Sequence, residues 1–416
     1  MQNHFDALET RSPGQREREL FAALPGVLAN AMQHAPAIAR HLQDVDPATV
    51  RSRAALACLP VLRKHELLER QQAERAAGNS PMGGFATSGW GGLRRVFASP
   101  GPIYEPESAR PDYWRFGRAL YAAGFRPGEL VHNCFAYHFT PAGSMMETAA
   151  HAVGCTVFPG GTGQTEQQVR TMQDLRPSGY TGTPSFLKLI LEKAEEMGVT
   201  LPFLTKALVS GEAFPPSLCK WLGDRGVAGY QAYGSADLGM VAYETPARDG
   251  LVLGEDIILE IVRPGTGDPV PDGEVGEVVV TTFNPDYPLI RFGTGDLSAI
   301  MPGQSPCGRT NQRIRGWLGR ADQTTKVRGM FVHPTQVADI TRRHPEIGRA
   351  RLVVQDSPSG DLMLLYVEVA GEPEGLAARV AETARELTKL RAEIKLVPLG
   401  SLANDGKVIE DARKYE

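Results

Sequence analysis

The sequence predicts an α/β protein: a large N-terminal part of layered α/β subdomains with a β-rich subdomain, followed by a small α+β domain. Three observations carry this. From about residue 81 to about 280, short apolar runs alternate with helix-period segments, as α/β layers require. Near 257–282 the texture changes to two β-rich runs around a Gly/Pro/Asp turn. The last roughly 95 residues then form a helix-and-strand sequence of their own.

In chain order, residues 1–80 read as mainly helical, with apolar positions in FAALPGVLANAM and LLERQQAERAAG, and they end in the breaker cluster Gly78-Asn79-Ser80-Pro81. Strand candidates LVHNCFAY, CTVFPG, KALVSG and GVAGYQAYG then alternate with helix candidates PDYWRFGRALYAAG, TEQQVRTMQDL and PSFLKLILEKAEEMG. The run ILEIVRPGTGDPVPDGEVGEVVVTT reads as a hairpin in the β-rich subdomain. After Trp317-Leu318-Gly319-Arg320 the order is helix (PTQVADITRR), strand (RARLVVQD), turn (SPSGD), strand (LMLLYVEV), helix (EGLAARVAETARELTKL) and strand (AEIKLVPL). Domains of 1–321 and 322–416 follow.

A formal net charge of −4 gives no electrostatic reason to expect nucleic acid or an anionic membrane as partner, so a small molecule is the expected ligand. No apolar run reaches bilayer length and the first residues lack the order of a signal peptide, so a cytoplasmic protein is expected. The five cysteines are scattered, with no C-x-x-C pair, which signals neither a disulfide framework nor a zinc ribbon.

Five segments at 83–95, 233–244, 289–297, 319–334 and 405–407 carry the chemistry. In the first, glycines around Thr87, Ser88 and Gly89 free backbone N–H groups to turn inward beside two hydroxyls, a cradle for a triphosphate; a flexible turn is the alternative. In Ala232-Tyr233-Gly234-Ser235-Ala236-Asp237, a strand-end tyrosine can lie against a purine and Asp237 can offer hard oxygens to Mg²⁺; a plain strand-to-helix turn is the alternative. Asp296, in Arg291-Phe292-Gly293-Thr294-Gly295-Asp296, can accept the hydroxyls of a ribose diol, and Lys407 is a cation near the chain end that by composition alone reads as a solvated lysine. Tyr137, His138 and Phe139 read either as aromatic pocket walls or as packed strand-end residues. No strand is followed by G-x-G-x-x-G, which disfavours a dinucleotide oxidoreductase.

Together with LPVLRKHELLE, GFRPGELVHNCFAY, VSGEAFPPSLCKWL, TGDPVPDGEVGEVVVTT and GRADQTTKVRGMFVHPTQV, these motifs resemble the phenylacetate-CoA ligase branch of the adenylate-forming enzymes, from about Leu59 to Lys407. The resemblance implies ATP-dependent formation of an acyl-adenylate from an aryl or arylalkanoic acid, then transfer to the thiol of CoA. The alternatives are transfer to a carrier-protein phosphopantetheine and a non-catalytic nucleotide-binding relative; a homodimer is left open. By the same resemblance Ser210, Gly211 and Glu212 frame the adenine and Tyr233 stacks on it. Asp296 and Arg320 hold the ribose, Asp237 serves Mg²⁺, and Lys407 bridges the substrate carboxylate and the α-phosphate. The C-terminal domain rotates about Asp322 as a mobile lid, and the segment Lys326-Val327-Arg328-Gly329 builds the thioester site, with Gly329 passing the pantetheine arm.

This chain departs from the family pattern in places. The loop Thr-Thr-Gly-Lys is Trp90-Gly91-Gly92-Leu93, with Arg94 and Arg95 next as substitute cations. The family glutamate is Asp237, and Gly293 and Gly295 replace two arginines. Some relatives carry a zinc site of cysteines and a histidine; here Thr245, Val252 and Ser305 stand at ligand positions beside Cys307, so no zinc is expected.

Overall fold

The structure is a computed structural model that describes residues 4–99, 102–321, 323, 325–327, 330–357, 360–371 and 374–413. It forms two compact units. One comprises Met1–Leu259, Val280–Phe292 and Met301–Trp317; the other comprises Glu260–Val279, Gly293–Ile300 and Leu318–Glu416. The second unit thus takes in two β segments that the sequence reading assigned to residues 1–321. The reason is packing: Val275, Leu297, Ala299 and Ala321 share one buried apolar cluster.

In the first unit the N-terminal helices Pro13–His34, Pro36–His41, Arg53–Ala57 and Lys64–Ala76 lead into a mixed sheet. From one edge its strands run Thr156–Pro159, Leu130–Asn133, Gly179–Gly182, Lys206–Val209, Ala228–Ser235, Gly239–Glu244, Leu251–Leu253 and Arg313–Ile314. The first five are parallel, and pairing turns antiparallel from Ala228–Ser235 onward. Strand alternation separates two cores. Leu208 joins Trp114, Phe125, Val131 and Met145, whereas its neighbours Ala207 and Val209 join Met172, Tyr180, Leu187 and Ile190.

Two expected helices form as Thr165–Leu175 and Pro184–Glu196, the second capped by Thr183 accepting from Phe186 N. The candidate at 111–124 is helical only over Gly117–Ala122. Upstream, Asp112 and Arg115 have φ of 46° and 65°, left-handed values that no α-helix accommodates. The hairpin strands Arg95–Ser99 and Ile103–Glu107 were not anticipated. No helix among the described residues is long and apolar enough to cross a membrane.

The second unit is built on a sheet in the order Glu393–Pro398, Gly360–Val369, Ile347–Ser357, Ile409–Asp411. The helices Pro334–Arg343 and Leu376–Thr388 bury Val337, Ile340, Val380 and Ala384 with Leu352, Val354, Leu365 and Val367 of the sheet. The short edge strand Ile409–Asp411, parallel to Leu352–Val354, begins two residues after Lys407.

Candidate active site

In the first unit the expected site residues gather at the carboxyl ends of the parallel strands, the end at which open α/β sheets bind ligands. Strand Leu130–Asn133 leads to Tyr137, Lys206–Val209 to Ser210, and Ala228–Ser235 ends in the Tyr233 segment. Register slips between Tyr233 and Gly234, a bulge that re-aims the strand end where the sheet changes from parallel to antiparallel. Gly234 is required there: a Cβ would lie 2.6 Å from the Gly239 carbonyl oxygen. Ser210 Oγ donates to the Ala232 carbonyl at 2.8 Å and so ties two neighbouring strand ends together, while Ser235 Oγ accepts from Leu238 N at 3.2 Å. Gly211, with φ of 83°, and Glu212 are exposed beside them.

In the glycine-rich loop the Thr87 hydroxyl is already used. It donates to the Pro285 carbonyl at 2.9 Å while Thr87 N donates to Asp286 O at 3.0 Å. Ser88 is half-buried and Gly89 exposed. Of the two arginines expected to replace the loop lysine, Arg95 is bound to buried Glu107 at 2.6 Å, which leaves exposed Arg94.

The aromatic trio separates. Tyr137 is packed, with its oxygen accepting from Asn133 Nδ2 at 2.7 Å, and burial pushes its hydroxyl up from the usual phenol range. His138 is exposed, and Phe139 is 80% exposed with φ of 59°. The left-handed turn at Phe139 carries its ring off the strand end. Asn133 organises this end of the sheet: it is buried, donates also to Gly143 O at 2.9 Å, and accepts from Thr181 Oγ1 at 3.0 Å and Phe135 N at 3.2 Å.

Asp237 is buried, and its Oδ2 lies 2.8 Å from Lys64 Nζ. Its Oδ1 is buried without a partner among the described residues. Glu105, also fully buried, accepts from the Ser99 hydroxyl. Burial first, and then the charge of Asp237, pushes its carboxyl up to about 8. Lys64 thus supplies a cation to Asp237 Oδ2, and no group of three or more His, Cys, Asp or Glu among the described residues is placed to hold a metal by protein ligands alone. Neither Lys64 nor Glu105 was singled out from the sequence, although Lys64 lies in the quoted LPVLRKHELLE.

In the second unit Arg320 donates through Nη1 to Asp296 Oδ1 at 2.9 Å, and the two residues form an isolated antiparallel bridge. The pair expected at the ribose is thus brought together. Asp296 is further shaped by its N–H donating to Thr294 Oγ1 at 3.0 Å, and Gly295, with φ of 71°, admits the guanidinium, since a Cβ would stand 2.7 Å from Arg320 Nη2. Lys407 is exposed and lines a cavity of about 330 Å³ within this unit, together with Arg263, Arg349, Thr341 and Asn404. Asp322, Arg328 and Gly329 lie outside the described residues.

Residues 114–284 match the family model described as AMP-binding enzyme. The chain is 32% identical over 396 residues to a phenylacetate-coenzyme A ligase of Thermus thermophilus, covering 89% of this chain and 86% of that protein. It is 31% identical over 370 residues to one from Aromatoleum evansii, covering 85% and 81%. Among solved structures it matches a 2-hydroxyisobutyryl-CoA ligase in complex with 2-HIB-AMP and CoA, with a TM-score of 0.72, 24% identity and 99% and 93% of the two chains covered, a likeness of fold. The chain belongs to the adenylate-forming family, in its phenylacetate-CoA ligase branch.

Proposed function

We propose that this chain activates an aryl or arylalkanoic carboxylic acid with ATP to an acyl-adenylate and pyrophosphate, and passes the acyl group to the thiol of CoA. The observation that carries the reading is 32% identity over 89% of this chain to a phenylacetate-coenzyme A ligase. ATP and CoA are both abundant in the cytoplasm, which supports a cytoplasmic placement.

In this reading Tyr233 offers its ring to the adenine, and Ser210, Gly211 and Glu212 border it. Asp296 and Arg320 take the ribose hydroxyls, exchanging part of their own ion pair for ligand contacts. Lys407 draws the substrate carboxylate toward the α-phosphorus and offsets the charge that builds there. The carboxylate oxygen forms the new P–O bond as the bond to pyrophosphate breaks. Such a displacement depends on alignment and charge neutralisation more than on covalent help. Asp237, the residue expected to serve Mg²⁺, is ion-paired with Lys64 through Oδ2. Residues 322–416 act as the lid that delivers Lys407 for the first half-reaction and withdraws it for the second, with Gly329 on the thioester-forming face.

The test is acid-dependent ATP–pyrophosphate exchange over aryl, arylalkanoic and short aliphatic acids, then acyl transfer with CoA or a carrier protein as acceptor. The expected result is exchange with ring-bearing acids and thioester formed on free CoA. Exchange with no acid at all refutes the reading, and acylation of the carrier protein alone replaces CoA as acceptor.

A further inference from the structure

The loop that carries Lys407 is held from both sides, and one of the two residues that hold it stands just after the expected hinge. Gln323 Nε2 donates to the Gly406 carbonyl at 3.1 Å, while its Oε1 accepts from Val408 N at 2.5 Å and from Ile409 N at 2.8 Å. One side-chain amide thus grips the main chain immediately before and immediately after Lys407. Only a group with a donor and an acceptor can do both. From the other side Arg351, which is largely buried, donates to the carbonyls of Lys407 and Ala403, each at 3.1 Å, and is ion-paired with Asp405.

The floor of the loop is equally set. Asn404 Oδ1 accepts from Val275 N at 3.1 Å. Gly406 has φ of 71°, and a Cβ there would stand 2.7 Å from Val275 Cγ1, so the backbone sits directly on the apolar surface. Every one of these partners belongs to the second unit. A lysine has a flexible four-carbon stem, so the spread of its ammonium is set by how firmly its own backbone is anchored.

Resting on the reading of Lys407 given above, we infer that Gln323 is a positioning residue for that lysine: its amide fixes the backbone on both sides, so the segment following Asp322 sets where the ammonium lies. Nothing in the reaction touches Gln323 itself. Its separation in sequence from Gly406, Val408 and Ile409 is 83 to 86 residues, which is why no local motif announces it.

The experiment measures each half-reaction in Gln323→Ala and Gln323→Glu, with Lys407→Ala as reference. Gln323→Ala is expected to lower the adenylation kcat by tenfold or more while KM for ATP and thioester formation from synthetic acyl-adenylate change less than twofold, since small misplacements of an aligned group cost about that much or more. Gln323→Glu keeps the two acceptor bonds and loses the donor, so its loss should be smaller. Backbone hydrogen exchange of the peptide spanning 402–411 should be faster in Gln323→Ala than in wild type. Faster exchange with unchanged adenylation refutes the inference while the role of Lys407 stands, provided that Lys407→Ala is inactive. Equal loss in both half-reactions marks a merely structural residue and also refutes it. Full adenylation in Lys407→Ala overturns the role of the lysine, and the inference falls with it.

Discussion

Replacing Lys64 by methionine should destabilise the first unit through Asp237 rather than through lost packing. The ammonium lies 2.8 Å from a carboxylate whose side chain is 1% exposed, while the lysine side chain itself is 40% exposed. At contact distance such a pair is worth about 1 kcal/mol in water and about 4 kcal/mol at the effective dielectric of a protein surface. With one partner buried and the other half in solvent, screening brings the expected coupling to about 2 kcal/mol. Most of the loss in Lys64→Met comes from leaving Asp237 charged, buried and near Glu105 with no counter-ion. The assay is therefore a cycle of wild type, Lys64→Met, Asp237→Asn and the double variant, each unfolded in urea and followed by far-UV circular dichroism. The double variant should recover most of what Lys64→Met loses. A coupling energy within about 0.5 kcal/mol of zero would refute the reasoning, because independent sites add to that precision.

Lys407→Ala should abolish acyl-adenylate formation, a loss on the order of 3–4 kcal/mol in the transition state, and spare thioester formation from synthetic acyl-adenylate; equal loss in both steps would remove the lysine from its role. Glu105, pushed up to about 8 by burial and by Asp237, holds a proton in the folded protein that the unfolded chain has lost above about 4.5, so the stability it contributes is complete below that pH and disappears as the pH rises to about 8. Urea unfolding across that window should show the slope in wild type and its reduction in Glu105→Gln. Asn133→Leu orphans the Thr181 hydroxyl and the Phe135 N–H in the interior and should cost about 2–4 kcal/mol of unfolding free energy; a cost below about 1 kcal/mol would show that this hub does not organise the strand ends.

Period and turn chemistry made much of the fold legible. TEQQVRTMQDL and PTQVADITRR mark helices that form over those same residues, because their apolar spacing needs one buried stripe and no distant information. The runs KALV and LVHN sit in the parallel sheet because short apolar runs between helices have nowhere else to bury. The segment at 111–124 misled for a local reason, since two left-handed residues interrupt an otherwise helical pattern.

The site divides in the same way. The strand-end turn at Tyr233 and the turn that ends in Asp296 are short motifs that can be read locally, whereas Arg320 as the partner of Asp296 and the role proposed for Lys407 came from the family resemblance. Only the tertiary structure assigned Lys64 to Asp237 across 173 positions, pushed the Glu105 carboxyl up by burying it, turned Phe139 outward, and set Gln323 astride Lys407. Periodicity is a property of neighbours along the chain. Counter-ions, burial and hydrogen-bond partners are properties of neighbours in space, and these exist only once the chain has folded.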